Sequence, residues 1–227
     1  MPNEFLPEAE DSKLIIPIGH WVIQKALYDF YYWRANLAIE PEITMSVNLS
    51  RKQLLDPKLP SIVKETLLNS HIPAEYIAFE ITENVIVEDD LQILETLSSL
   101  KNLGVHLHID DFGTGYSSLH ILPTYPIDTI QVDKSFIRNI PKSTKDYEIV
   151  RLMIELGPSL KIGVIAEGIE APHEFVELKS MHCTQVQGDY FSKPLPQNAI
   201  GLLLEKMTKK KEGMSKIDHK KLFSGAK

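Results

Sequence analysis

His108-Ile-Asp-Asp-Phe-Gly-Thr-Gly-Tyr-Ser-Ser118 joins an apolar strand, Val105 to Ile109, to a loop of small and hydroxylated residues through two adjacent aspartates. Ending a buried strand in two carboxylates places negative charge where a cation or phosphate can reach it. Such charges destabilise a fold unless a partner compensates them.

Outward from this strand, strand and helix signals alternate. Ile18, Val22, Ile23, Ala26, Leu27 and Phe30 recur at helical spacing, with Pro17 suited to a first turn. Strands are expected from Thr44 to Ser50, Tyr76 to Thr82, Val105 to Asp110, Thr129 to Val132, Gly163 to Ala166 and Cys183 to Gln187. Helices are expected from Leu59 to Asn69, Asp90 to Leu103, Ser117 to Ile121, Lys145 to Leu156, Pro172 to Met181 and Gln197 to Met207. Gly104 stops the second of these, and Pro158 ends the fourth early. Six βα units with short connections imply an α/β fold with a parallel sheet under helices.

An open doubly wound sheet and a (β/α) barrel both satisfy that pattern. No glycine-rich phosphate turn opens the first helix, which weighs against the dinucleotide-binding version of the open sheet. Asn48, Glu80, Asp110 with Asp111, Gln131, Glu167 and Gln187 each lie in or just after a strand, toward its C-terminal end. One polar residue from nearly every strand at one end is how a TIM-like barrel builds an active site.

The 227-residue chain has ordinary apolar content and one cysteine, Cys183, so no intrachain disulfide forms. The acidic N-terminus is unlike a signal peptide, and no apolar run approaches a membrane span. From Lys206 onward the net charge is +6, which leaves −13 on residues 1–205. An acidic body argues against DNA or RNA as partner and is compatible with collecting divalent cations. Residues 1–205 are therefore read as the domain, and 206–227 as a basic, disordered tail.

Asn48, Glu80, Asp110, Asp111 and Glu167 form an oxygen-rich set suited to Mg²⁺ or Mn²⁺, with no zinc-like Cys/His spacing. His106 and His108 share the parity of Asp110 and are read as interior histidines rather than ligands. Two cations on shared carboxylates activate water and stabilise both oxygens of an in-line phosphoryl displacement. Phosphodiester hydrolysis is the reaction class this set suits.

Six blocks in order then resemble the EAL-domain cyclic di-GMP phosphodiesterases. They are Asn48-Leu-Ser50, Glu80-Ile-Thr-Glu83, Asp110 to Ser118, Ile127-Asp-Thr-Ile-Gln-Val-Asp-Lys-Ser-Phe136, Ala166-Glu-Gly-Ile-Glu170, and Gln187-Gly188 with Phe191-Ser-Lys-Pro-Leu-Pro196. The resemblance implies cyclic di-GMP as substrate, linear pGpG as product, two Mg²⁺ or Mn²⁺ ions and a bacterial cytoplasmic setting. It implies metal-site roles for Asn48, Glu80, Asp110, Asp111 and Glu167. It makes Glu83 the anchor of the loop after Asp111, and places Gln187 near water and substrate and Pro194 against substrate. Asp111, Glu167, Gln131 and Gln187 are the positions it puts at the reaction. It also implies a homodimer contact near Asp110 to Ser118.

Two departures bear on activity. The family's Glu-Ala-Leu strand, which supplies a metal ligand and a nearby arginine, lies upstream of the segment Glu4-Phe-Leu-Pro-Glu-Ala-Glu, so about six of eight barrel strands are expected here. Gln131 stands where the family has a lysine that orients the attacking water. Losing one preorganised stabilising group costs about 10²–10³ in rate. Asp189 also replaces a usual aromatic. The expectation is a domain with weak or absent turnover. The alternative is a non-catalytic module that binds cyclic di-GMP or another protein. Six strands would leave two exposed edges open to strand addition or dimerisation.

Overall fold

The computed structural model describes residues 2–37, 42–86, 90–115, 122–140 and 143–206. Helices α1 (Pro2–Asp11) and α2 (Ile15–Asn36) precede the sheet. Strands β1 (Met45–Asn48), β2 (Ile77–Thr82), β3 (His106–Phe112), β4 (Thr129–Val132), β5 (Gly163–Ala166) and β6 (Gln185–Val186) follow, separated by helices. These are α3 (Arg51–Leu54), α4 (Leu59–Ser70), α5 (Glu83–Ile86), α6 (Leu91–Asn102), α7 (Lys134–Asn139), α8 (Thr144–Leu160), α9 (Pro172–Ser180) and α10 (197–206).

Every strand pairs in parallel with its sequence neighbour, in the order β1-β2-β3-β4-β5-β6. An open doubly wound sheet reverses its strand order at a switch point. This sheet never reverses and curls into a six-strand half-barrel. The barrel-type winding read from the strand-end residues is the one observed.

Strand periodicity sets the two faces. Ile77, Phe79, Ile81, Leu107, Ile109 and Ile130 point outward and are fully buried under helices. They pack with Ile23, Leu27 and Phe30 of α2, Val63 of α4, and Ile93, Leu97 and Leu100 of α6. A second cluster joins Val132, Ile137, Val150, Ile154, Ala166 and Leu178 under α7, α8 and α9. The inward face is polar: Ser46 and Asn48 are exposed, while His106 and His108 are half-buried. His106 is not a packed interior residue: its Nδ1 lies 3.7 Å from Asp128, which also binds Lys101 at 2.5 Å.

Several boundaries differ from expectation. The acidic N-terminus is helical, and α2 extends the expected helix at both ends. The strand expected from Thr44 to Ser50 is shorter because Ser50 caps α3 in a capping box with Gln53. The last strand shrinks to Gln185–Val186, an edge that pairs only with β5 among the described residues. Pro158 does not end α8, which runs on to Leu160. At that depth in the last turn Pro158 forfeits one hydrogen bond, and Lys161 (φ 59°) closes the helix while Ile162 N–H donates to Gly157 O. The helix expected at Ser117 to Ile121 and the basic segment 207–227 lie outside the described residues.

Because the core lies on the outer face of the sheet, substitutions on the two faces should differ sharply. Phe79→Ala is expected to cost about 3–5 kcal/mol in urea unfolding, whereas Ser46→Ala should stay within about 0.5 kcal/mol.

Candidate active site

The centre of the site is a β-bulge. Ile109 pairs with Ile130 and Phe112 with Val132, so Asp110 and Asp111 together oppose the single residue Gln131. A regular strand would send adjacent side chains to opposite faces; the extra residue re-aims one of them. Asp111 takes φ 54°, a left-handed conformation that aspartate tolerates better than most residues. Its backbone N–H donates to Asp110 Oδ1 at 2.8 Å, and its carbonyl accepts from Thr114 Oγ1 at 2.8 Å.

Below the bulge, Glu83 is completely buried. Its Oε2 accepts the backbone N–H of Gly113 at 2.9 Å and of Gly115 at 3.1 Å. Glycine is required at both places. A Cβ on Gly115 would sit 2.6 Å from Glu83 Oε1, and one on Gly113 (φ 99°) would strike Met153 and Phe136 at 2.8 Å. The Gly-Thr-Gly spelling thus follows from a carboxylate seated under the loop.

Asp110, Asp111, Glu167 and Gln187 line one cavity of about 360 Å³ at the C-terminal ends of β3, β5 and β6. Asp133, Lys134, Arg138, Glu170 and Asp189 share it. Glu80 lies beside this group: its Oε1 accepts from Gln131 Nε2 at 2.8 Å, and its charge acts on Asp110 and Glu167. Asn48 pairs in register with Glu80 but is exposed at the outer strand. Pro194 lines an adjoining depression that shares Gln187 and Gly188 with the first. A larger groove of about 460 Å³ between α2 and α4 holds none of these residues.

Asp133 and Lys134 lay within a quoted block but were given no role in the site, although Asp133 follows β4 as directly as Glu167 follows β5. Glu170 lay within a quoted block, and Asp189 was noted only as a departure. Arg138 carried no signal: it reaches the cavity from one turn along α7, where it pairs with Glu170.

The carboxylates raise one another. Burial, then the charges of Asp110, Glu80 and Asp111, push Glu167 up to about 8. Burial and Asp110 also raise Asp111, and burial and Glu80 raise Asp110. Glu167 is hydrogen-bonded to Asp110, and Asp111 to Asp133. Burial works to raise Asp133, but hydrogen bonds from Ser135 and Asp111 outweigh it and hold the group low. Burial and His106 lower His108 to about 4, so its imidazole is neutral at pH 7.

Among the described residues, no three His, Cys, Asp or Glu side chains stand within common reach of one ion. The donor chemistry nevertheless fits a hard divalent cation. The donors are oxygens, and Gln131 Oε1 is buried without a hydrogen-bond partner.

The EAL-domain family profile matches residues 1–194, and the chain belongs to that family. It is 37% identical over 199 residues to the cyclic di-GMP phosphodiesterase NbdA of Pseudomonas aeruginosa, covering 88% of this chain and 25% of that protein. The solved MucR phosphodiesterase in complex with c-di-GMP superposes with a TM-score of 0.82 at 32% identity, covering 88% of this chain and 80% of that one. The manganese and cyclic di-GMP complex of BlrP1 from Klebsiella pneumoniae gives 0.74 at 27% identity, covering 80% and 45%. The chain spans about a quarter of the length of the curated relatives it matches.

Two tests address this geometry. Glu83→Ala should abolish hydrogen-exchange protection of the Gly113 and Gly115 amides while leaving the amides of β2 protected. A carboxyl raised on folding binds protons that the unfolded chain has released, so stability falls as pH rises from about 4.5 through about 8. Millimolar Mg²⁺ or Mn²⁺ should flatten that decline in a series of thermal midpoints taken across the range.

Proposed function

We propose that this chain is an EAL-type cyclic di-GMP phosphodiesterase domain whose hydrolysis to pGpG is slow. The observation that carries the reading is the bulge that turns Asp110 and Asp111 together into a cavity shared with Glu167 and Gln187. Asn48, Glu80, Asp110, Asp111 and Glu167 are the residues that would hold Mg²⁺ or Mn²⁺. Bound there, the cations supply an activated water and neutralise charge on the reacting phosphodiester.

The chain's own side chains do the rest. Glu83 holds the loop that carries Asp111, so the carboxylates keep their spacing through turnover. Lys134 and Arg138 give the rim of an acidic cavity the charge to draw a phosphodiester in. Gln187, which lines both depressions, and Pro194, in the adjoining one, position the substrate.

Slow turnover follows from Gln131. It is almost fully buried, bonds Glu80, and brings no charge to a developing anion. The same residue favours the second reading, a module that holds cyclic di-GMP without cleaving it. The apolar cavity of about 600 Å³ beside Phe112, Phe136 and Leu152 supports a homodimer contact next to the bulge loop. A cytoplasmic setting is proposed with the family. No helix among the described residues is long and apolar enough to cross a membrane.

Chromatography of cyclic di-GMP incubated with purified chain and Mn²⁺ decides between the readings. Slow appearance of pGpG, about 10²-fold or more below competent relatives, supports the enzyme. Tight binding with no pGpG supports the module, and no binding sinks both.

A further inference from the structure

Gln131 sits at the point where the sheet, the bulge and the carboxylates meet, and its two amide atoms have different fates. Nε2 donates to Glu80 Oε1 at 2.8 Å and lies 3.3 Å from His108 Nδ1. Glu80 Oε1, a carboxylate oxygen, accepts, so the atom facing it is the amide nitrogen. Those contacts fix the amide orientation and leave Oε1 as the atom without a partner, buried from solvent. A buried acceptor with nothing to accept costs about 1–3 kcal/mol. The residue is 1% exposed, so bulk water does not relieve it.

Its surroundings select what would. The bulge sets Asp110 and Asp111 opposite Gln131 on one neighbouring strand, and Ile165 pairs with it on the other, two residues before Glu167. The charged groups acting on Asp110 and Glu167 are carboxylates, and the cations lining the cavity, Lys134 and Arg138, are exposed. An amide oxygen among carboxylates is a hard, neutral donor, the kind that completes an oxygen shell around a divalent cation or binds the cation's water.

Resting on the metal-site reading above, we propose that Gln131 is a two-sided residue of the cation site. Its Nε2 orients Glu80, and its Oε1 takes a divalent cation or a water bound to it.

Titration with Mn²⁺ alone, followed calorimetrically and by the paramagnetic resonance of free Mn²⁺, tests this without cyclic di-GMP or turnover. Gln131→Glu keeps an oxygen at the Oε1 position and should bind Mn²⁺ at least as tightly as the unaltered chain. Gln131→Met keeps the volume, removes both polar atoms and should weaken binding about 10- to 100-fold. Gln131→Lys keeps a donor to Glu80 but removes the oxygen and adds a positive charge, and should bind most weakly. Far-ultraviolet circular dichroism and thermal midpoints identify any variant that has lost its fold.

If only the bond to Glu80 mattered, Gln131→Lys would match the unaltered chain and Gln131→Glu would be impaired; that order overturns the proposal. Equal affinities in all four proteins overturn it as well. Failure of the unaltered chain to bind Mn²⁺ overturns the metal-site reading along with it, which separates the two failures.

Discussion

The site depends on one backbone irregularity. Two residues of β3 oppose one of β4, so Asp110 and Asp111 cease to alternate and serve the same cavity. Such a bulge needs a residue that accepts φ near 54° and a following loop that cannot relax back into register. Asp111 supplies the first. Buried Glu83 supplies the second by accepting two backbone N–H groups from beneath. An anion buried so completely is costly unless donors converge on it. The glycines at 113 and 115 let those donors approach, so the loop composition and the buried carboxylate explain each other.

The two sides of the sheet carry opposite duties. Outward side chains of β2, β3 and β4 build a dry core with α2, α4 and α6, and this core holds the strands in position. Inward side chains add little apolar burial and gather carboxylates that repel one another. Hydrogen bonds within two pairs, Glu167 with Asp110 and Asp111 with Asp133, work against that repulsion. A cation bound among these oxygens would offset the repulsion directly. Stability and cation binding are therefore linked through the same few oxygens.

Much of this was legible in the sequence, for reasons that differ by element. Long apolar strands flanked by helical periods give the parallel sheet, and the polar residue at each strand end gives the winding. The bulge was not legible. Period-two reading places Asp110 with His106 and His108 and would turn Asp111 away, because no residue type announces an extra residue in a ladder. Short helices such as α3 and α7 were missed for a related reason: a single turn has too few residues to show a 3.6 period. Pro158 misled because its effect depends on depth within the last turn, which the sequence does not reveal. Arg138 was not legible because it reaches the cavity by helix geometry, one turn beyond Lys134, and not from a strand end.

The openness of the half-barrel grades the site from one side to the other. Glu80, Asp110 and Glu167 stand on or just after strands that have a neighbour on each side. Asn48 stands on β1, which pairs only with β2 among the described residues, and its side chain is exposed. Edge strands open more readily than central ones. Rigid carboxylates on the inner strands would therefore set where a cation sits, while Asn48 would adjust to it. Gln131 lies at the stiff end of this gradient, held by Glu80 and His108, and its unpartnered oxygen is consequently held in place as well. Preorganisation of that kind is what makes a neutral amide an effective donor: the cost of orienting it has been met by the fold before any ion arrives.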